Sequence, residues 1–285
     1  MRWPEDAAGW PMAEYSRFVL HRPHRWHVQE AGSGETLLLI HGAGGATQSF
    51  RGLFPLLAET HHVVAVDLPG QGFTQLGARQ RCGLDAMAED LLSLARSQGW
   101  KPAALVGHSA GAAIALRMVE LGAVPRGQVI GINAALGTFK GVAGWLFPTL
   151  AKLLAMNPFT ANIFAATVTP ASVKRLLDGT GSKIGAEGAA LYLRLARDRA
   201  HVDATLAMMA QWDLSGLLGR LNRIDLPVTL LAASGDTAVP PETSAEAAAR
   251  LPQARLINLT GLGHLAHEED PGLIAAQIRD ALVAT

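Results

Sequence analysis

Gly107-His108-Ser109-Ala110-Gly111 carries the residue types of an activated nucleophile. A serine hydroxyl attacks poorly until a neighbouring base takes its proton, and that base needs an acid to orient it. The pentapeptide follows the apolar run 104–106 and opens the helix-like run 112–120. That is the setting of a nucleophile elbow, a strained strand-to-helix turn that lifts the hydroxyl above a sheet. The glycines relieve crowding where no side chain fits. The context, rather than the bare spacing, carries the inference.

Two later residues can serve as partners. Asp236 follows Ala232-Ala233-Ser234-Gly235, just past the apolar run 228–231. His264 closes Gly261-Leu262-Gly263-His264, just past the run 255–259. Both therefore sit beyond the carboxyl end of a strand, where open α/β sheets place their chemistry. The chain order serine, acid, histidine is the one an elbow triad follows. Ser109 is thus the candidate nucleophile, His264 its base and Asp236 the orienting acid. Asp67 remains open as an alternative acid, against a role in a structural turn. An oxyanion hole needs two preorganised N–H donors. Ala110, directly after the serine, supplies one candidate, and Ala43 in His41-Gly42-Ala43-Gly44-Gly45 the other. The same glycine-rich loop lacks both phosphate-cradle spacings, G-x-x-x-x-G-K-[ST] and G-x-G-x-x-G.

Other clusters point to blander roles. His21, His24 and His27 surround Pro23, which breaks a helix, so their side chains need not converge on a metal. Glu268-Glu269-Asp270 precedes a helix, where negative charge suits the dipole. Cys82 reads as an inert thiol. No metal site and no cofactor are expected.

The elements that must position these residues are legible as runs. Apolar stretches at 36–40, 63–66, 104–106, 129–132, 228–231 and 255–259 are continuous rather than alternating, as in strands buried on both faces of a parallel sheet. Helical spacing fills 84–95, 112–120, 243–251 and 271–283. Alternating strand and helix predicts an α/β fold with a mostly parallel, doubly wound sheet. The stretch 137–223 breaks this rhythm and reads as several helices inserted into a core formed by 1–136 and 224–285. It holds ten basic residues against five acidic ones. With Trp145, Leu146, Phe147, Leu150, Leu153, Leu154, Phe159 and Phe164, it is expected either to bind something large, apolar and anionic or to form an ordinary small core.

Composition narrows the function classes. Of 285 residues, 49% are hydrophobic and 17% charged, which excludes disorder as the dominant state. Lys+Arg and Asp+Glu are both 24, so the basic excess of a nucleic-acid binder is missing. One cysteine allows no internal disulfide framework and no cysteine-based zinc site, and fits a reducing compartment. The opening Met1-Arg2-Trp3-Pro4-Glu5-Asp6 reaches no signal-peptide apolar stretch. The most apolar segment, 141–168, is interrupted by Pro148, Lys152, Asn157, Pro158 and Asn162, so no membrane span is expected. A cytoplasmic location follows as the expectation.

His41-Gly42-Ala43-Gly44, Asp67-Leu68-Pro69-Gly70-Gln71-Gly72, the Ser109 pentapeptide, Asp236-Thr237-Ala238-Val239-Pro240 and Gly263-His264 together resemble the α/β-hydrolase superfamily over nearly the whole chain, with 137–223 as its helical cap. Gln71 stands where that superfamily commonly has His. Within it, the chain is similar to the magnesium-chelatase accessory proteins of bacteriochlorophyll biosynthesis. That similarity rests on Gly107-His108-Ser109-Ala110-Gly111-Ala112-Ala113-Ile114-Ala115, Asn133-Ala134-Ala135-Leu136, and the runs 176–182 and 201–214. The resemblance implies a photosynthetic role near magnesium insertion into protoporphyrin, with chelatase subunits or a tetrapyrrole as partners. It supplies no reaction. Two classes stay open: a serine hydrolase acting on an ester, thioester or similar acyl bond of a hydrophobic substrate, or a non-catalytic module that binds a porphyrin or a chelatase subunit. A general esterase unrelated to pigment synthesis is a further alternative. A porphyrin with its propionates would fit the apolar, basic insertion, as would peripheral contact with an anionic membrane.

Overall fold

A computed structural model describes residues 1–124, 126–137, 157 and 159–283. Eight strands form a single sheet in the order β1-β2-β4-β3-β5-β6-β7-β8. They are β1 (Ser16–His21), β2 (His24–Ala31), β3 (Thr36–Ile40), β4 (His62–Val66), β5 (Pro102–His108), β6 (Gln128–Ile132), β7 (Val228–Ala233) and β8 (Ala254–Leu259). β2 pairs antiparallel with β1 and β4, and every other pairing is parallel.

Burial on both faces explains the continuous apolar runs of β3 to β7. The run 255–259 instead falls in β8, an edge strand buried only at Leu259, because among the described residues no further strand covers it. Successive side chains of a strand point to opposite sides. Leu38, Ile40, Val64, Val66, Leu105 and Val129 pack on one face beneath α2 (Leu84–Ser97) and α3 (Ala110–Glu120). Leu37, Leu39, Val63, Ala65, Ala104 and Val106 pack on the other. There they meet Leu53, Phe54 and Leu57 of α1 (Leu53–Ala58), and Ile274, Ala275 and Ile278 of a C-terminal helix spanning Pro271–Val283. Each fully buried Leu, Ile or Val contributes about 1.5–3 kcal/mol relative to exposure, so the two-sided core dominates the stability of this sheet. The expected doubly wound, mostly parallel sheet is therefore present.

The hairpin β1–β2 is an addition to the expected strands. Its polar residues hid it. His24, Trp26 and Val28 share one face, while His27 and Gln29 share the other, and all five are fully buried. His24 meets Asp90 at 3.1 Å, His27 meets Asp67 at 2.7 Å, and His21 meets Ser93 at 2.8 Å, so the three histidines go to three different partners.

Between β6 and β7 the described residues form α4 (Thr160–Thr167), α5 (Pro170–Asp178), α6 (Ala186–Arg197), α7 (Arg199–Gln211) and α8 (Ser215–Gly219), with no strand. Thr169 caps α5 by accepting the Ser172 N–H, and Pro170 fills its first helical position, where no N–H is needed. Trp145, Leu146, Phe147, Leu150, Leu153 and Leu154 lie outside the described residues. Beyond β7 follow α9 (Pro241–Ala248), α10 (Ala266–Glu269) and α11 (Pro271–Val283). α9 ends three residues before the expected 251, because Ala249 and Arg250 close it in a turn. Among the described residues no helix is long and apolar enough to cross a membrane.

Candidate active site

The loops that carry candidate residues follow the carboxyl ends of β3, β5, β7 and β8, which run parallel and so open on the same side of the sheet. β5 delivers Ser109 directly into α3. Its backbone adopts φ 52 and ψ −117, a left-handed geometry that non-glycine residues rarely hold. Strain of this kind costs on the order of 1–3 kcal/mol and persists only where the surroundings impose it. Here they do. The Ser109 N–H donates to Ile132 O at 2.9 Å, and the Ser109 carbonyl accepts from Ala112 and Ala135, both at 3.1 Å. Gly107 and Gly111 permit the turn, since a Cβ on Gly107 would lie 2.4 Å from Ala112 N, and one on Gly111 would lie 2.1 Å from Ile40 O. Ser109 itself remains partly accessible.

His264 Nδ1 meets Asp236 Oδ2 at 2.7 Å, and both residues are buried. The other carboxylate oxygen of Asp236 accepts the Ala238 and Val239 N–H groups, each at 2.8 Å. With His264 on one oxygen and two backbone N–H groups on the other, Asp236 is fixed in place and holds the His264 ring in one orientation. Among the described residues Ser109 Oγ forms no hydrogen bond to His264. Unliganded catalytic sites often hold this contact open until substrate arrives.

His264 is nevertheless tied to the Ser109 turn. His108 Nε2 donates to the His264 carbonyl at 2.9 Å. Burial, reinforced by the neighbouring His267 and His264 rings, drives the His108 pKa well below the ordinary histidine value, so its ring is neutral. Asn133, at φ 47 just past β6, donates to the carbonyls of Gly263 and His264 at 2.9 and 2.8 Å and accepts the Ala233 N–H at 2.8 Å. Glu269 accepts the Gly263 N–H at 2.8 Å. The helical segment adds a further anchor: the Thr180 carbonyl accepts N–H groups from both Thr237 and His264, at 3.3 and 3.2 Å. Gly181 makes the approach possible, because a Cβ there would sit 1.9 Å from Gly235 O.

Ala43 lies exposed beside this centre, and a Cβ on Gly42 would come within 3.0 Å of Ser109 Cβ. Among the described residues neither the Ala43 N–H nor the Ala110 N–H has an acceptor. The loop is shaped by His41, whose Nε2 accepts the Leu68 N–H at 2.9 Å, so that Nδ1 carries the proton and donates to Gly42 O at 2.7 Å. Burial keeps this ring neutral by lowering its pKa.

Asp67, the alternative acid, goes elsewhere. It pairs with His27 and accepts the Thr47 and Phe73 N–H groups at 2.7 and 2.8 Å. Burial pushes its carboxyl up, but His27 and the Phe73 N–H outweigh that and hold it below its ordinary range. A Cβ on Gly72 would meet this carboxylate at 2.2 Å, so Asp67 is the hub of a turn. Glu268 bonds Arg51 and Tyr192, and Asp270 Oδ1 accepts the Leu273 N–H at 2.9 Å. Sequence reasoning missed Asn133, Thr180, Glu269, His201 and the role of Gln71. The runs 133–136, 176–182 and 201–214 carried a family resemblance, but no local signal told which loop each would hold.

A family model described as Alpha/beta hydrolase family matches residues 37–277. The magnesium-chelatase 30 kDa subunit of Rhodobacter capsulatus is 45% identical over 278 residues, which cover 96% of this chain and 97% of that protein. An epoxide hydrolase, CorEH, superposes with a TM-score of 0.79 at 19% identity, covering 94% of this chain and 98% of the other. An esterase from Exiguobacterium antarcticum superposes with a TM-score of 0.76 at 16% identity, covering 93% and 98%. At these identities the two structures speak to the fold alone.

Proposed function

The chain belongs to the alpha/beta hydrolase family, and from that premise we propose a serine hydrolase that acts as an accessory factor at the magnesium-insertion step of bacteriochlorophyll biosynthesis. The observation that carries the catalytic half is the 2.7 Å contact between His264 and Asp236, held against the Ser109 turn through the His264 carbonyl. The biosynthetic half rests on the likeness to the Rhodobacter capsulatus protein named as a magnesium-chelatase subunit.

Ser109 Oγ attacks the acyl carbon of an ester or thioester while His264 Nε2 takes its proton. The carbonyl oxygen becomes an oxyanion, stabilised by the Ala43 and Ala110 N–H groups, each of which lacks a partner among the described residues. The tetrahedral adduct expels the alcohol or thiol, which leaves with the proton from His264, and an acyl-serine remains. Water then gives a proton to the same nitrogen, attacks the acyl carbon, and releases the acid as Ser109 regains its hydrogen. Asp236 holds the tautomer throughout. Residues 137–223 act as a cap over this site, admit a hydrophobic substrate, and contact chelatase subunits or an anionic membrane face of the cytoplasm.

A second role for the same chain is non-catalytic binding of a tetrapyrrole or a chelatase subunit. It is favoured by exposed Phe159, just before α4, by Ile163 and Phe164 on α4 and by Leu176 on α5, in a segment with net basic charge. Two experiments separate the roles. A fluorophosphonate probe labels the wild type and spares Ser109→Ala, and equal labelling of both refutes the nucleophile. A deletion strain accumulates metal-free porphyrin and is rescued by the wild type. Full rescue by Ser109→Ala would make binding, not hydrolysis, the biological role.

A further inference from the structure

Helix α7 reaches the oxyanion loop through one stripe of side chains. His201, Ala204, Thr205 and Met208 follow i, i+3, i+4, i+7 spacing and therefore share a helix face. His201 Nδ1 accepts the Gly72 N–H at 3.1 Å, which leaves the proton on Nε2, 3.2 Å from the Gly44 carbonyl, to donate there. Gln71 Oε1 accepts the Gly44 N–H at 2.9 Å, and its Nε2 donates to Met208 Sδ at 3.3 Å. The amide cannot be turned the other way, because its NH2 would then face the Gly44 donor. Thr205 Cγ2 lies 3.6 Å from where a Gly44 Cβ would be, and Ala204 Cβ lies 2.5 Å from where a Gly70 Cβ would be. Gln71 and His201 are both buried.

Gly44 is thus gripped on both sides of its backbone, its N–H by Gln71 and its carbonyl by His201. Its φ of 75 lies in the left-handed region and has no side chain to restrain it. One residue upstream is the Ala43 N–H. We propose that Gln71 and His201 are positioning residues that lock Gly44 and so aim the Ala43 N–H, making the seating of α7 a determinant of oxyanion stabilisation. This rests on Ser109 being the nucleophile. The substrate need not touch either residue. They act on the step in which charge moves onto oxygen, so they lower the barrier without changing ground-state affinity.

The test uses the full chain with p-nitrophenyl acetate as substrate and phenylboronic acid as a tetrahedral mimic. Gln71→Met keeps volume and removes the acceptor. His201→Ala removes both bonds, and His201→Gln retains a donor for Gly44. Removal of an oxyanion donor costs about 10²–10³ in kcat, so a misaimed donor should cost roughly 10–100-fold. The expected result is a loss of this size in kcat for Gln71→Met and His201→Ala, with KM within about twofold and boronate affinity falling in parallel. Exchange of the Gly44 amide should speed up about tenfold, and His201→Gln should recover part of each effect. A loss of kcat with unchanged Gly44 exchange and unchanged boronate affinity overturns the inference, as does full activity in both disruptive variants. If the wild type neither hydrolyses the ester nor binds the boronate, the serine-hydrolase assignment falls. The clamp itself is then judged on Gly44 exchange alone, and equal rates in all four proteins overturn it.

Discussion

Asp236→Asn removes a charge while keeping a shape, and the surrounding bonds dictate how the amide must sit. Oδ1 accepts from the Ala238 and Val239 N–H groups, both at 2.8 Å. If the amide nitrogen took that side it would face two donors, so the amide oxygen stays there and Nδ2 turns toward His264. Across the 2.7 Å contact with Nδ1 an amide nitrogen can only donate. The imidazole must then accept at Nδ1 and carry its proton on Nε2, the atom that should receive the Ser109 proton. The variant loses both the reactive tautomer and the counter-charge for the imidazolium. In a triad this change costs about 10⁴ in kcat, or about 5.4 kcal/mol of barrier at 1.36 kcal/mol per factor of ten. The two bonds to Ala238 and Val239 survive, so the melting temperature should move by no more than about 2–4 °C, the equivalent of ~1 kcal/mol. The assays are p-nitrophenyl acetate turnover and the rate of fluorophosphonate labelling, with calorimetry as the folding control. Retention of more than a tenth of the wild-type rate in a folded Asp236→Asn protein would refute the reasoning.

Asn133→Ala strips two carbonyls of a donor and the Ala233 N–H of its acceptor. At about 1 kcal/mol net per bond, the loss is roughly 3 kcal/mol, read as a drop in the urea midpoint together with slower labelling of Ser109. Acid should destabilise the protein well above the carboxylate range. Burial lowers the pKa of His201 to about 4 and that of His267 to about 3, from an ordinary 6.5. The unfolded chain therefore binds more protons between pH 6.5 and those values, and stability falls as pH drops through that window. At about 1.4 kcal/mol per unit, His201 alone accounts for roughly 3 kcal/mol; a urea midpoint that stays flat from pH 7 to about 4 would contradict this. Gly111→Ala should unfold or disable the elbow, because its Cβ would meet Ile40 O at 2.1 Å and His41 O at 2.8 Å. Gly219→Ala, with nothing within 4 Å, should leave melting and labelling unchanged or slightly improved.

Ser109, Asp236 and His264 stood out as candidates because each lies within a few residues of an apolar run that ends in a loop. The strands at 36–40, 63–66 and 228–231 were legible for a related reason: burial on both faces demands an unbroken apolar stretch, and that demand is written locally. The hairpin β1–β2 was not, because three of its five buried positions are His24, His27 and Gln29, polar side chains whose burial is tolerable only once Asp90, Asp67 and the Pro11 carbonyl have been brought to them. Gln71 gives the same lesson at the site. As a letter in the chain it is only a departure from a common histidine. It becomes a clamp when folding brings it to Gly44, 27 positions away, and to Met208, 137 positions away. Asn133 and Thr180 likewise gained their roles from loops that approach from more than 50 residues away. An apolar pattern states its own requirement, to leave water on a given face. A polar side chain states only what it can donate or accept, and the tertiary structure alone decides which partner stands within 3 Å of it.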